Sequence, residues 1–131
     1  DTVKWNLIIS KLKNNFPINK KEMTAALKIL LNNKKIQTIE KTLIEIRKIE
    51  PDYFSLELGL YYSINMAIEK SLDEFFRHID YNPHKKNYIF NRILAFPNME
   101  FVTVKTKDYL EKSENNNSKI LLLIWVLESL L

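Results

Sequence analysis

Residues 36–68 read IQTIEKTLIEIRKIEPDYFSLELGLYYSINMAI, and the periodicity of this stretch decides the fold class. Ile36, Ile39, Leu43, Ile46 and Ile49 recur at spacings of three and four, which is one apolar stripe of an α-helix. Glu40, Lys41, Glu45, Arg47 and Lys48 fall mostly on the other side, so this helix has a solvated back. Glu50-Pro51 ends it, because the residue before a proline is driven out of the helical region. Pro51 and Asp52 suit the start of a second helix over residues 53–69, proline through its fixed φ and aspartate as a cap. That second helix carries Phe54, Leu58, Tyr61 and Ile68 on one side and Leu56, Leu60, Ile64 and Ala67 on another. A helix without a polar face has to be surrounded by other helices. Gly59, the only glycine of the chain, lies between the two stripes. A glycine inside a helix costs roughly 1 kcal/mol against alanine, so close approach of another backbone is expected there, and Gly59→Leu should destabilise strongly.

Working outward, residues 2–13 read as a helix with Val3, Leu7, Ile8 and Leu12 on one face, widened by Trp5 and Ile9; Phe16-Pro17 breaks it. Asn19-Lys20-Lys21-Glu22 has the form of a capping box with asparagine at its head. It opens a helix over residues 20–31 with Met23, Ala26, Leu27 and Leu30 inward, and Asn32-Asn33 stops it because asparagine tolerates the left-handed conformation. On the other side, Ser71-Leu72-Asp73-Glu74 is a second capping-box signature, ahead of a helix carrying Leu72, Phe75, Phe76 and Ile79. Tyr81-Asn82-Pro83-His84 is a turn, and residues 85–95 form a further helix. The run over residues 101–106, FVTVKT, is β-prone, yet no second strand-like run exists to pair with it. Residues 100–112 are therefore expected to be helical. Three consecutive asparagines mark residues 113–117 as a loop, and Ser118 can cap a last apolar helix over 119–130, expected to share the core with residues 53–69. The fold class is thus all-α: about eight short antiparallel helices, a HEAT-like stack or an irregular bundle, in a single domain over residues 1–131.

Composition narrows the chemistry. With 46% hydrophobic and 27% charged residues, the chain sits in the ordinary globular range. It has no cysteine, which removes disulfides, thiol chemistry and cysteine zinc sites. One glycine removes the familiar phosphate cradles. No charged-then-apolar leader is present, and the longest apolar run, residues 120–127, is far short of the roughly 20 residues a spanning helix needs. No membrane role and a cytoplasmic location are the expectations. Residues 1–50 hold 11 Lys/Arg against 5 Asp/Glu, and residues 51–131 hold 9 against 11. The basic first half favours an acidic partner or nucleic acid. The dominance of lysine, isoleucine and asparagine points to an AT-rich coding genome.

Two histidines, His78 and His84, are present. Glu74 lies one turn before His78 on the same helical face, so a general-base or metal role near His78 is the enzymatic reading. The surrounding Asp73, Asp80 and His84 match no recognised ligand spacing, and neither a metal nor a cofactor is expected. Basic pairs at Lys20-Lys21, Lys34-Lys35 and Lys85-Lys86 are the nucleic-acid candidates. For partner recognition the candidate residues are Tyr81, His84, Lys85, Lys86 and Tyr88, two tyrosines beside a basic turn. Tyrosine supplies contact area at low entropic cost.

The order amphipathic helix, Pro-Asp turn, apolar helix, carried by Ile46, Ile49, Pro51, Asp52, Leu56 and Leu60, resembles HEAT-type helical hairpins. A second hairpin is expected around Phe96-Pro97-Asn98, 46 residues after Pro51. In size and type the chain also resembles small all-helical bacterial immunity proteins. That resemblance implies a non-catalytic protein-binding domain that neutralises a cognate toxin, the basic charge favouring an acidic or neutral target. The alternatives are a nucleic-acid-binding helical domain and an enzyme with a site near His78.

Overall fold

The computed structural model describes residues 2–97 and 99–112. Among these residues it is all-helical: α1 (Thr2–Asn14), α2 (Lys20–Asn32), α3 (Ile36–Ile46), α4 (Ser55–Ile64), α5 (Ile68–Tyr81), α6 (Lys86–Leu94) and α7 (Glu100–Lys112), with a 3-10 turn at Pro83–Lys85 and no strand. The β-prone run over residues 101–106 is helical, as the lack of a pairing partner requires. The expected helix over 119–130, and its packing against residues 53–69, lie outside the described residues. The chain divides into two compact units, Asp1–Phe54 and Ser55–Leu131.

In the first unit α1, α2 and α3 each touch the other two. The α2 face Met23, Ala26, Leu27 and Leu30 is buried as expected, against Ile39, Leu43 and Ile46 of α3 in the same core. Helix α1 is turned from the expected face. Ile9 is buried and Trp5 and Leu12 half-buried, while Val3, Leu7 and Ile8 are exposed. The stripe Trp5, Ile9, Leu12, Phe16 carries two large rings, so turning it inward removes more apolar area from water. The expected capping box does not form: Asn19 makes no cap bond, and its Nδ2 donates to the Leu12 carbonyl at 2.8 Å. Nor do Pro51 and Asp52 start a helix. Residues 47–54 form a wider loop in which Tyr53 and Phe54 are both buried. Successive helical residues point about 100° apart; here Phe54 instead takes a left-handed φ of 64°. The loop is pinned by Arg47 Nε donating to the Tyr53 carbonyl at 3.0 Å, by a 2.6 Å hydroxyl contact between Tyr53 and Thr24, and by Phe16 edge-on to Tyr53 at 5.0 Å.

The second unit is built on α5, which packs against α4, α6, α7 and the 3-10 turn. Ile68, Leu72, Phe75, Phe76 and Ile79 of α5 share one core with Ile89, Phe90 and Ile93 of α6 and Leu110 of α7. Two sequence expectations fail in this unit. The apolar helix ends at Ile64 rather than at residue 69, so Ile68 opens α5. Ser71 is then not a cap: it is buried inside α5 and its hydroxyl donates to the Gly59 carbonyl at 2.7 Å. Gly59 does mark a close approach, but of a ring rather than a backbone: a Cβ there would lie 2.5 Å from Phe75 Cδ1. Along the α5–α7 seam, Lys105 Nζ reaches Asp73 at 2.7 Å and Glu69 at 3.4 Å. Tyr109 donates to Asp80 at 2.6 Å and stacks on Phe76 with ring centroids 4.2 Å apart.

Both breaks between paired helices use one device. After α2, Lys34 has φ 59°, the Lys35 N–H reaches the Leu30 carbonyl at 2.9 Å and the Lys34 N–H reaches Leu31 at 3.0 Å. After α4, Met66 has φ 61°, with Ala67 bonded to Tyr62 at 2.8 Å and Met66 to Ser63 at 3.2 Å. These are Schellman closures. The left-handed residue is the one after each asparagine: Asn33 has φ −97° and serves as C-cap. The two turns are 32 residues apart (34 to 66), and α3, α5 and α7 begin at residues 36, 68 and 100, also 32 apart. Buried positions follow: 23, 26, 27 and 30 of α2 correspond to 55, 58, 59 and 62 of α4. The starts of α3, α5 and α7 are thus evenly spaced by 32 residues, whereas the two prolines lie 46 apart.

Candidate functional site

The five residues singled out for recognition lie on the corner where α5 gives way to α6. Tyr81 is the last residue of α5 and Asn82 ends the helix, its backbone N–H and side-chain Nδ2 both donating to the His78 carbonyl, at 2.9 and 3.0 Å. Pro83, lacking an N–H, starts the 3-10 turn, and the Lys85 N–H closes it on the Asn82 carbonyl at 2.9 Å. Ile89, Phe90 and Ile93 turn α6 inward, which leaves Tyr88 outward. Tyr81 is 55% and Tyr88 46% exposed; His84 and Lys85 are exposed and Lys86 half-buried. The corner thus offers two phenol rings and a basic turn, held on one side by the buried faces of α5 and α6.

His78 sits one turn back. Its Nδ1 lies 3.1 Å from Ser55 Oγ and 3.4 Å from Asn82 Nδ2. A serine donating to an imidazole is the pairing a nucleophile needs, but Ser55 is only 1% exposed. What the pair does in this geometry is tie the first turn of α4 to the last turn of α5. Glu74, expected beside His78, is buried and forms an ion pair with Arg77. Sequence reasoning missed Ser55 because it lies 23 residues from His78, beyond any helical spacing.

Two groups are shifted. Burial, then the hydrogen bond and charge of Asp80, pushes the Tyr109 phenol well above its ordinary range. For Lys105, desolvation pulls downward, but the hydrogen bonds and charges of Asp73 and Glu69 outweigh it and the net shift is upward. Both effects belong to the α5–α7 seam, and the Tyr109–Asp80 bond reaches the residue next to Tyr81. Among the described residues no group of three or more His, Asp or Glu is placed to hold a metal ion. No helix among them is long and apolar enough to cross a membrane.

The basic pairs are not equivalent. Lys20 is tied to Glu50 at 2.9 Å and lies 5.9 Å from the centre of the Tyr53 ring, whereas Lys34 is the left-handed residue of a turn. No protein-family model, no curated protein and no solved structure matches this chain.

Proposed function

We propose that the chain is a non-catalytic helical domain that binds another protein, with the Tyr81–Tyr88 corner as its contact surface. The observation that carries this reading is the exposure of two tyrosines, 55% and 46%, flanking a basic turn. Large amphipathic rings on a rigid support are what interface hot spots are made of. The even 32-residue spacing of α3, α5 and α7 supports a small array of hairpins related in type to HEAT stacks; such arrays present extended surfaces without catalytic motifs. Within this reading a toxin-neutralising immunity protein is the specific form we favour, its target acidic or neutral.

The test is calorimetric titration against the products of genes adjacent to its own. One of them should bind, and Tyr81→Ala with Tyr88→Ala should weaken that binding by about 30-fold or more, the loss of a hot spot of about 2 kcal/mol, with no change in melting temperature. Absence of binding to every neighbouring product would remove the immunity reading. Binding to duplex DNA that falls steeply with rising salt would support the nucleic-acid alternative instead.

A further inference from the structure

The exposed side of α2 carries a second surface, independent of the tyrosine corner. A shallow groove of about 720 Å³ runs along it, and its lining includes Ile18, Lys20, Lys21, Glu22, Ala25 and Lys28. Ile18 is 94% exposed, the greatest exposure of any large apolar side chain described. Ala25 is exposed one turn beyond Lys21, and its small side chain lets a ligand come close to the helix.

The charges along the groove divide into committed and free. Lys20 is held by Glu50 at 2.9 Å. Lys21 and Lys28 make no ion pair among the described residues. They are seven residues apart on one helical face, a rise of about 10 Å. The unit that holds them is basic: residues 2–54 contain 11 Lys/Arg and 5 Asp/Glu.

We infer that this groove docks an acidic protein segment carrying one apolar residue between two carboxylates, the apolar side chain covering Ile18 and Ala25 and the carboxylates meeting Lys21 and Lys28. The inference rests on the reading of the chain as a protein-binding domain and adds the site and the chemistry of the partner. Three features favour a peptide over nucleic acid. The lining includes the apolar Ile18 and Ala25, which a row of phosphates would leave uncovered, Glu22 in the same lining would repel a continuous row of phosphates, and the one arginine of the unit, Arg47, is engaged by the Tyr53 carbonyl at 3.0 Å. Steering by the surrounding positive charge raises the association rate and makes it salt-dependent.

A phage-displayed library of random 12-residue peptides, selected on the full chain, tests this. Enriched sequences should share two acidic residues flanking an apolar one. Lys21→Glu with Lys28→Glu should weaken the synthesised peptide at least tenfold, and Ile18→Ser by about tenfold, while Tyr81→Ala with Tyr88→Ala leaves it unchanged. All three positions are exposed, and circular dichroism confirms folding of each variant. Enrichment without an acidic pattern, peptides lost only in the tyrosine variant, displacement of the peptide by a short DNA duplex, or no enrichment would each overturn the groove assignment. Loss in the tyrosine variant alone leaves the corner standing, so the two readings fail separately.

Discussion

A Gly59→Ala variant sets two effects of opposite sign against each other. In an open helix the change stabilises by about 1 kcal/mol, because alanine loses less backbone entropy than glycine. Here the new Cβ would lie 2.5 Å from Phe75 Cδ1 and 2.6 Å from Cε1, far inside the usual 3.5–4.0 Å carbon contact. The ring has little room to retreat. Phe75 is fully buried and stacks with Phe96 at 6.1 Å between centroids and 14° between planes. Overpacking costs about 1–3 kcal/mol, and separating α4 from α5 also strains the Ser71 bond to the Gly59 carbonyl, worth about 1 kcal/mol. The expected net effect is a loss of about 1–3 kcal/mol, read as a lower midpoint in urea unfolding at unchanged slope. In a Phe75→Leu background the same change should become neutral or mildly stabilising, a coupling of about 2 kcal/mol. Equal or greater stability of Gly59→Ala, or no coupling to residue 75, would refute the reasoning.

Three further outcomes are expected. Lys34→Gly and Met66→Gly should each stabilise by about 0.5–1 kcal/mol in urea unfolding, since both positions have positive φ and a side chain there costs about 1–2 kcal/mol; Asn33→Gly, at φ −97°, should bring no gain. The folded state holds the Tyr109 proton more tightly than the unfolded chain, whose tyrosines ionise near pH 10. Its contribution is therefore intact below about pH 10 and is lost as pH rises toward the folded value. Ultraviolet titration should show a phenol that ionises only with unfolding and is absent in Tyr109→Phe. The Thr106 hydroxyl is buried without a hydrogen-bond partner among the described residues, so Thr106→Val should stabilise by about 0.5–1 kcal/mol and raise the melting temperature by a few degrees.

Helical periodicity was legible because burial follows the 3.6-residue repeat directly. The α2 face Met23, Ala26, Leu27, Leu30 and the helical state of residues 100–112 could be read from the chain. Breaks were less legible, because they depend on tertiary packing. Nothing local distinguishes Met66 as a left-handed residue, and Ser71-Leu72-Asp73-Glu74 has the pattern of a cap although its serine is buried in mid-helix. The even 32-residue spacing of α3, α5 and α7 was hidden because positions 32 apart share burial rather than identity: Leu27 stands where Gly59 does and Leu30 where Tyr62 does. The polar turn kept Tyr81 and Tyr88 outward, which turn composition alone suggests. The Ser55–His78 pairing and the free pair Lys21 and Lys28 needed coordinates, because long-range partners decide which hydroxyl or lysine is engaged.

Helix α5 is the strut that α4, α6, α7 and the tyrosine corner are fixed to. Native-state hydrogen exchange measures this most directly. The slowest amides should be those of Leu72, Phe75, Phe76 and Ile79, exchanging only through global unfolding. Exchange of these amides by local opening, at rates matching the exposed turns of α1, would contradict it.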